Sequence, residues 1–292
     1  MRYQTGAAFR RALEDRLRTQ SRVAGESLVR LRKMVAFERL LARMLATQPG
    51  AWVLKGGLAL QLRLGKRART TKDMDVLLAR PRPDLHALLI EAATQDLGDW
   101  FEFQVERPTR RLPPEFGGQR FHAECILDGR RFERFQLDVG VDDRLVEPVE
   151  ELTMPGLLTF AGLDPTIAPC YPLVQQIAEK LHAYTLPRVS GESSRVKDLV
   201  DILLLAEMYE YEGATLRRAI QATFEARGTH PLPAHLPEPP GTWAPPFRKL
   251  ADEVGLEQRD LTDAGRAAHA FLDGVLGGEA ITIWNPSAGQ WN

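Results

Sequence analysis

The stretch Trp52-Val53-Leu54-Lys55-Gly56-Gly57-Leu58-Ala59-Leu60, with Asp73-Met74-Asp75-Val76-Leu77-Leu78 a short way downstream, decides how this chain is read. Trp52 to Leu54 has the composition of a short buried strand, Gly56-Gly57 of a tight turn, and Leu58 to Leu64 of the start of a helix. Met74 to Leu78 is a second apolar strand, which Pro81 and Pro83 close. Side chains at i and i+2 of a strand point to the same face, so Asp73 and Asp75 project together and can share hard divalent cations. Glycine lets backbone N–H groups approach a phosphate closely, and a helix N-terminus adds a favourable dipole. Two bound ions can lower the pKa of an attacking hydroxyl and neutralise charge on leaving pyrophosphate. The combination points to chemistry on nucleoside triphosphates.

Such a site needs a further carboxylate on a neighbouring strand. Phe135-Gln136-Leu137-Asp138-Val139 supplies one, Asp138, between two apolar residues of an alternating strand. The alternative is a solvent-facing aspartate ahead of the loop that holds Asp142 and Asp143.

Around these strands, apolar positions from Phe9 to Leu45 recur at helical separations, and Gly25 marks a break between two helices. Asp84 to Leu97 reads as an amphipathic helix, Phe101 to Val105 and Phe121 to Leu127 as strands, and Asp128-Gly129 as a hairpin turn into the strand Phe132 to Val139. Beyond Pro155 the pattern becomes helical: Pro172 to Tyr184, Val196 to Tyr211, Leu216 to Arg227, Phe247 to Val254 and Leu261 to Leu276. Residues 231–246 carry seven prolines and read as an extended connector that excludes helix. The expected organisation is basic N-terminal helices over residues 1–50 packed on the catalytic domain, an α/β core over 51–155, and a mainly helical domain over 156–292.

The 292 residues are 44% hydrophobic and 26% charged, ordinary for a globular protein with a real core. No run approaches the ~18 consecutive apolar residues of a membrane helix, and the N-terminus leads into arginines, so a cytoplasmic location is expected. Two cysteines, Cys125 and Cys170, cannot build a disulfide scaffold or a zinc cluster, and His122-x-x-Cys125 lacks a second ligand pair. A net charge of -1 conceals an uneven distribution: up to Arg69 there are sixteen Lys/Arg against four Asp/Glu, a surplus of +12. That polarity fits a face that meets a polyanion, or a solvated arginine-rich helix surface.

Four ordered blocks carry a resemblance. Leu54-Lys55-Gly56-Gly57-Leu58-Ala59-Leu60, Arg69-Thr70-Thr71-Lys72-Asp73-Met74-Asp75, Gln176-Ile177-Ala178-Glu179-Lys180-Leu181-His182-Ala183 and Arg195-Val196-Lys197-Asp198-Leu199-Val200-Asp201 are similar to the AbiEii/MenT group of nucleotidyltransferase toxins. They span half the chain, and its length and proline-rich later segment also look like mycobacterial MenT members. The fifteen residues between Gly57 and Asp73 exceed the spacing usual in the wider polymerase-β-like superfamily. The resemblance implies an α+β fold with a polymerase-β-like nucleotidyltransferase domain, a mixed sheet and a helical C-terminal domain. It implies a type IV toxin that transfers a nucleoside monophosphate from an NTP, with a pyrimidine NTP one candidate, to the 3′ end of tRNA, alongside a cognate antitoxin. Carried over by position, Asp73 and Asp75, with Asp138, would hold Mg²⁺ or Mn²⁺, and Lys55, Gly56, Gly57 and Thr71 would surround the triphosphate. Lys180 would contact phosphate, and Asp198 or Asp201 would complete the catalytic set. Asp198 and Asp201, at i and i+3, share a helix face and can equally form a structural ion pair with Lys180. Two other functions fit the same residues: a small-molecule, antibiotic-modifying nucleotidyltransferase, and an inactive nucleotide-binding module.

Overall fold

The computed structural model describes residues 1–80, 84–108, 110–111, 118–141, 145–187 and 195–292. Its contacts divide the chain into two compact units, Met1–Arg63 with Thr70–Asp142 and Glu150–Cys170, and Leu64–Arg69 with Asp143–Val149 and Tyr171–Asn292.

The first unit is built on a mixed sheet. Its strands are β1 (Trp52–Lys55), β2 (Asp73–Leu78), β3 (Phe101–Val105), β4 (Arg110–Arg111), β5 (Gln119–Leu127), β6 (Arg130–Val141), β7 (Glu150–Thr153) and β8 (Ile167–Cys170). The order is β3-β5-β6-β2-β1-β8-β7, with β4 paired to β5. β2 runs antiparallel to β1 and parallel to β6. Alternation is strict where it matters: Met74, Val76, Phe121, Leu137 and Val139 are buried, while Asp73, Asp75, Arg120, His122, Gln136 and Asp138 between them are half-buried. One face therefore belongs to the core and the other is polar.

Helices α1 (Gly6–Ala24) and α2 (Leu28–Thr47) supply Phe9, Leu13, Leu17, Val35, Leu40 and Leu41 to the same core cluster as the sheet residues. Thr5 caps α1 by accepting from the Ala8 N–H, and Gly25 ends it in the left-handed region at φ 69°. Beneath α2 lies a buried charge triad: Arg39 Nε and Arg43 Nη2 donate to Asp99 at 2.6 Å each.

The second unit is mainly helical: α5 (Leu173–Thr185), α6 (Val196–Met208), α7 (Gly213–Arg227), α8 (Ala244–Val254) and α9 (Leu261–Gly277), the shorter α3 (Gly56–Leu64) and α4 (Leu85–Thr94) belonging largely or wholly to the first unit. A small sheet of β9 (Tyr211–Glu212), β10 (Ile283–Asn285) and β11 (Gln290–Trp291) completes it. No helix among the described residues is long and apolar enough to cross a membrane.

Several local expectations need correction. Gly56-Gly57 is no separate turn: β1 passes directly into α3, which begins at Gly56. The proline-rich segment does not exclude helix throughout, because Pro245 and Pro246 lie in the first turn of α8, where a missing N–H costs no intrahelical bond. α6 stops at Met208, since Tyr211 and Glu212 pair with Trp284 and Ile283. The strands β7 and β8 lie beyond the apolar alternation that marked the others and join the first unit's sheet on either side of residue 155. Pro81 and Pro83, expected to close β2, lie outside the described residues, as do Asp142 and Asp143.

Candidate active site

The acidic residues of the first unit come together through strand register. Asp75 on β2 stands directly opposite Asp138 on β6, and Asp73 opposite Gln136. Across the other edge of β2, Asp75 faces Lys55 on β1, and across β6, Asp138 faces Arg120 on β5. Residues opposite one another share a face, so Lys55, Asp75, Asp138 and Arg120 form one transverse row, two adjacent carboxylates flanked by a cation on each side. Asp73 sits two residues along the same face.

The glycines explain how Asp75 is held. At Gly56, φ is +62° and an added Cβ would lie 2.1 Å from Asp75 Oδ2. The carboxylate packs onto bare backbone, which is why this position must lack a side chain. At Gly57 a Cβ would come within 2.8 Å of Thr71 Oγ1, and that hydroxyl donates to the Asp73 carbonyl at 3.1 Å. Lys55, Gly56, Gly57 and Thr71 thus all border the Asp73/Asp75 segment.

Asp138 is not a lone solvent-facing residue. Arg120 grips it with Nε to Oδ1 at 2.8 Å and Nη2 to Oδ2 at 2.7 Å. This hydrogen bonding to Asp138, reinforced by the charges of Asp138, Asp73 and Asp75, outweighs partial burial and pushes the guanidinium pKa above its ordinary value. Sequence reasoning missed Arg120. Among the described residues no three His, Cys, Asp or Glu side chains converge as a ready ligand set. The donor chemistry nevertheless fits a hard divalent ion: carboxylates from adjacent strands on one face, one of them seated against a glycine cradle that a Cβ would fill.

The second unit holds the other candidates. Lys180 on α5, 7% exposed, donates to Asp201 Oδ2 at 2.5 Å and lies 3.4 Å from Asp198 Oδ1. Asp201 is also forked by Arg69, Nη2 to Oδ2 at 2.9 Å. Burial would raise the Asp201 carboxyl, but Lys180 and Arg69 overcome it and hold the pKa below the usual carboxylate range. Asp198 has a second cation, Arg195, at 3.5 Å. The ion pair foreseen between α5 and α6 exists, with Arg69 as a member that spacing alone did not reveal.

Part of the basic surplus of the first 69 residues is engaged within the fold. Arg10 donates to the Leu127 and Arg130 carbonyls at 2.6 and 2.9 Å, Arg32 to the Phe132 carbonyl at 2.6 Å, and Lys33 meets Glu133. Arg39 and Arg43 belong to the Asp99 triad, Arg63 pairs with Glu150, Arg67 with Glu207 and Arg69 with Asp201. Of the two expectations for this charge, a face that meets a polyanion or a solvated helix surface, neither describes these particular side chains, which satisfy strand-end carbonyls and carboxylates within the fold. Arg2, Arg11, Arg16, Arg18, Arg22 and Lys66 are exposed.

Both cysteines are buried and free; burial raises both thiols, Cys170 to about 12. His122 and Cys125 take opposite faces of β5, which removes them as a ligand pair.

Among solved structures, the chain is similar to MenT4, a nucleotidyltransferase toxin from Mycobacterium tuberculosis H37Rv, with 20% identity over 86% of this chain and 92% of that one and a TM-score of 0.53. It is also similar to JHP933 from Helicobacter pylori, at 16% identity over 84% of this chain and 88% of that one, with a TM-score of 0.42. A search of curated proteins returned no match. The likeness to MenT4 shows the nucleotidyltransferase toxin fold, and the profile described as nucleotidyl transferase AbiEii toxin, type IV TA system, matches residues 39–279. Spanning most of the chain, including every candidate residue above, that match makes this protein a member of the AbiEii nucleotidyltransferase toxin family.

Proposed function

We propose that the protein transfers a nucleoside monophosphate from an NTP to the 3′-terminal hydroxyl of tRNA in the cytoplasm, so blocking translation, with Mg²⁺ or Mn²⁺ held by Asp73, Asp75 and Asp138. The observation that carries the metal-dependent part is the in-register pairing of Asp75 with Asp138, with Asp73 on the same face and Gly56 beneath Asp75. A bound divalent ion would supply acidification of the acceptor hydroxyl and charge neutralisation at the leaving pyrophosphate. Gly56 and Gly57 keep backbone accessible to phosphate, Lys55 offers a cation in the Asp75 row, and Thr71 buttresses the Asp73 carbonyl. By the resemblance, Lys180 is assigned to phosphate and Asp198 or Asp201 to the catalytic set; within the second unit the two aspartates hold the Lys180 ammonium. The acceptor and a pyrimidine donor rest on the resemblance to MenT-like toxins, and the family membership supports a cognate antitoxin as partner.

The test incubates purified protein with tRNA and each labelled NTP, with Mg²⁺, Mn²⁺ or EDTA, and compares intact with periodate-oxidised 3′ ends. Label on intact tRNA alone, lost with EDTA and in Asp73→Ala, Asp75→Ala and Asp138→Ala proteins of unchanged melting temperature, is the expected result. Equal labelling of oxidised tRNA, or transfer to an aminoglycoside instead, refutes the acceptor; NTP binding without transfer to any acceptor leaves a binding module.

A further inference from the structure

The transverse row has a member that the family chemistry does not call for. Arg120 uses two N–H groups on the two oxygens of Asp138, and among the described residues its side chain has no other hydrogen-bond partner. Its side chain is 38% exposed whereas that of Asp138 is 13% exposed. Asp138 thus stays fixed while the guanidinium has room to leave. Without a cation, Asp75 and Asp138 would repel one another across adjacent strands, with Asp73 on the same face, and like charges directly opposite in a sheet are destabilising. A forked arginine and a hard divalent ion compete for the same lone pairs on Asp138, because a carboxylate oxygen turned to a guanidinium is not available as a ligand.

We propose that Arg120 is a positioning residue that serves as the stand-in cation of the metal-free site: it occupies Asp138 until metal and NTP arrive, then releases the carboxylate and pairs with the triphosphate. This rests on the metal-dependent reading above. The arrangement makes metal and NTP binding mutually reinforcing. Metal alone must displace the guanidinium with no new anion to receive it, whereas phosphate supplies that anion when the two bind together. The carboxylate cluster would hold metal weakly between turnovers and firmly only with substrate.

The experiment measures Mn²⁺ affinity by titration calorimetry or by loss of the free-ion electron paramagnetic resonance signal, with and without a non-hydrolysable NTP. Arg120→Gln should bind Mn²⁺ about five- to tenfold more tightly than wild type without nucleotide, the release of one half-exposed charge-assisted pair. The enhancement of Mn²⁺ affinity by nucleotide should shrink by a similar factor, and KM for NTP should rise. Arg134→Gln removes the same charge about 13 Å along β6, from an exposed pair with Glu106, and should leave Mn²⁺ binding unchanged. Arg120→Lys, which keeps charge but not the fork, should fall between wild type and Arg120→Gln, and carries the test if the glutamine variant does not fold. Unchanged Mn²⁺ affinity and unchanged nucleotide coupling in the Arg120 variants, with wild type binding metal, overturn this inference alone. Absence of Mn²⁺ binding to wild type even with nucleotide overturns it together with the metal-dependent reading.

Discussion

Replacing Asp201 with alanine separates scaffold from chemistry in the second unit. The carboxylate is 1% exposed and takes hydrogen bonds from Lys180 at 2.5 Å and from Arg69 at 2.9 Å. Its loss takes a shared carboxylate from two cations, Lys180 keeping Asp198 at 3.4 Å. Breaking a buried pair from one side costs about 3 to 5 kcal/mol, because the stranded charge keeps its desolvation penalty. At about 2 to 4 °C per kcal/mol for a chain of this size class, the melting temperature should fall by on the order of 10 °C. Lys180→Ala should cost clearly less, since Arg69 keeps Asp201 paired, yet should weaken NTP binding if its ammonium meets phosphate. The pH dependence has a definite sign. The folded-state pKa of Asp201 is depressed below 3.8, so its contribution is present above that value and is lost as pH falls through the folded pKa. The stability gap between wild type and Asp201→Ala should therefore narrow in acid. Thermal and urea unfolding at pH 7 and through the acid range below pH 3.8, with NTP binding by calorimetry at pH 7, read all three effects. An Asp201→Ala protein as stable as wild type would refute the clamp, and a Lys180→Ala protein that loses more stability than Asp201→Ala would refute the division of labour.

Two further outcomes follow from specific geometry. Gly56→Ala places a methyl 2.1 Å from Asp75 Oδ2 at φ +62°, so it should cost about 1 to 3 kcal/mol and reduce transfer at least tenfold by displacing the carboxylate; equal activity at saturating metal would show that the Asp75 position is not critical. His182 is held near pKa 4, burial first and His230 and Arg227 next, with Thr229 Oγ1 2.8 Å from its Nε2. The unfolded chain then binds a proton that the folded one refuses between about pH 6.5 and 4, so His182 should lower stability by about 2 to 3 kcal/mol over that fall in pH. A His182→Asn variant with the same slope of stability against pH would disprove it.

How much of this could be read from the sequence differs from element to element. The strand at Asp73–Leu78, the hairpin and the apolar faces of the long helices follow from composition and period, because local sterics and one-sided burial leave little freedom. Asp73 and Asp75 share a face by strand geometry alone. Asp-Gly at 128–129 fixes the turn, with φ of +54° and +65°. The sequence also identified Lys180, Asp198 and Asp201 as neighbours on one pair of helices. It could not show that Arg69 joins them, since that contact closes 132 residues of chain.

The identity of the residue opposite Asp138 lay beyond the sequence for a sharper reason. From the turn outward, Leu127 pairs with Arg130 and Ile126 with Arg131, a register that would put Arg120 opposite Leu137. A bulge between Cys125 and Ile126 shifts the pairing by one, to Cys125 with Glu133 and finally Arg120 with Asp138. A slip of one residue exchanges the two faces of a strand, so that single bulge decides whether Arg120 turns into the core or meets the carboxylates. Local sequence set the turn and the faces of each strand. Only the packing of β5 against β6 and the core, which must bury Phe121 and Leu137 on one side, chose the register that built the charged row.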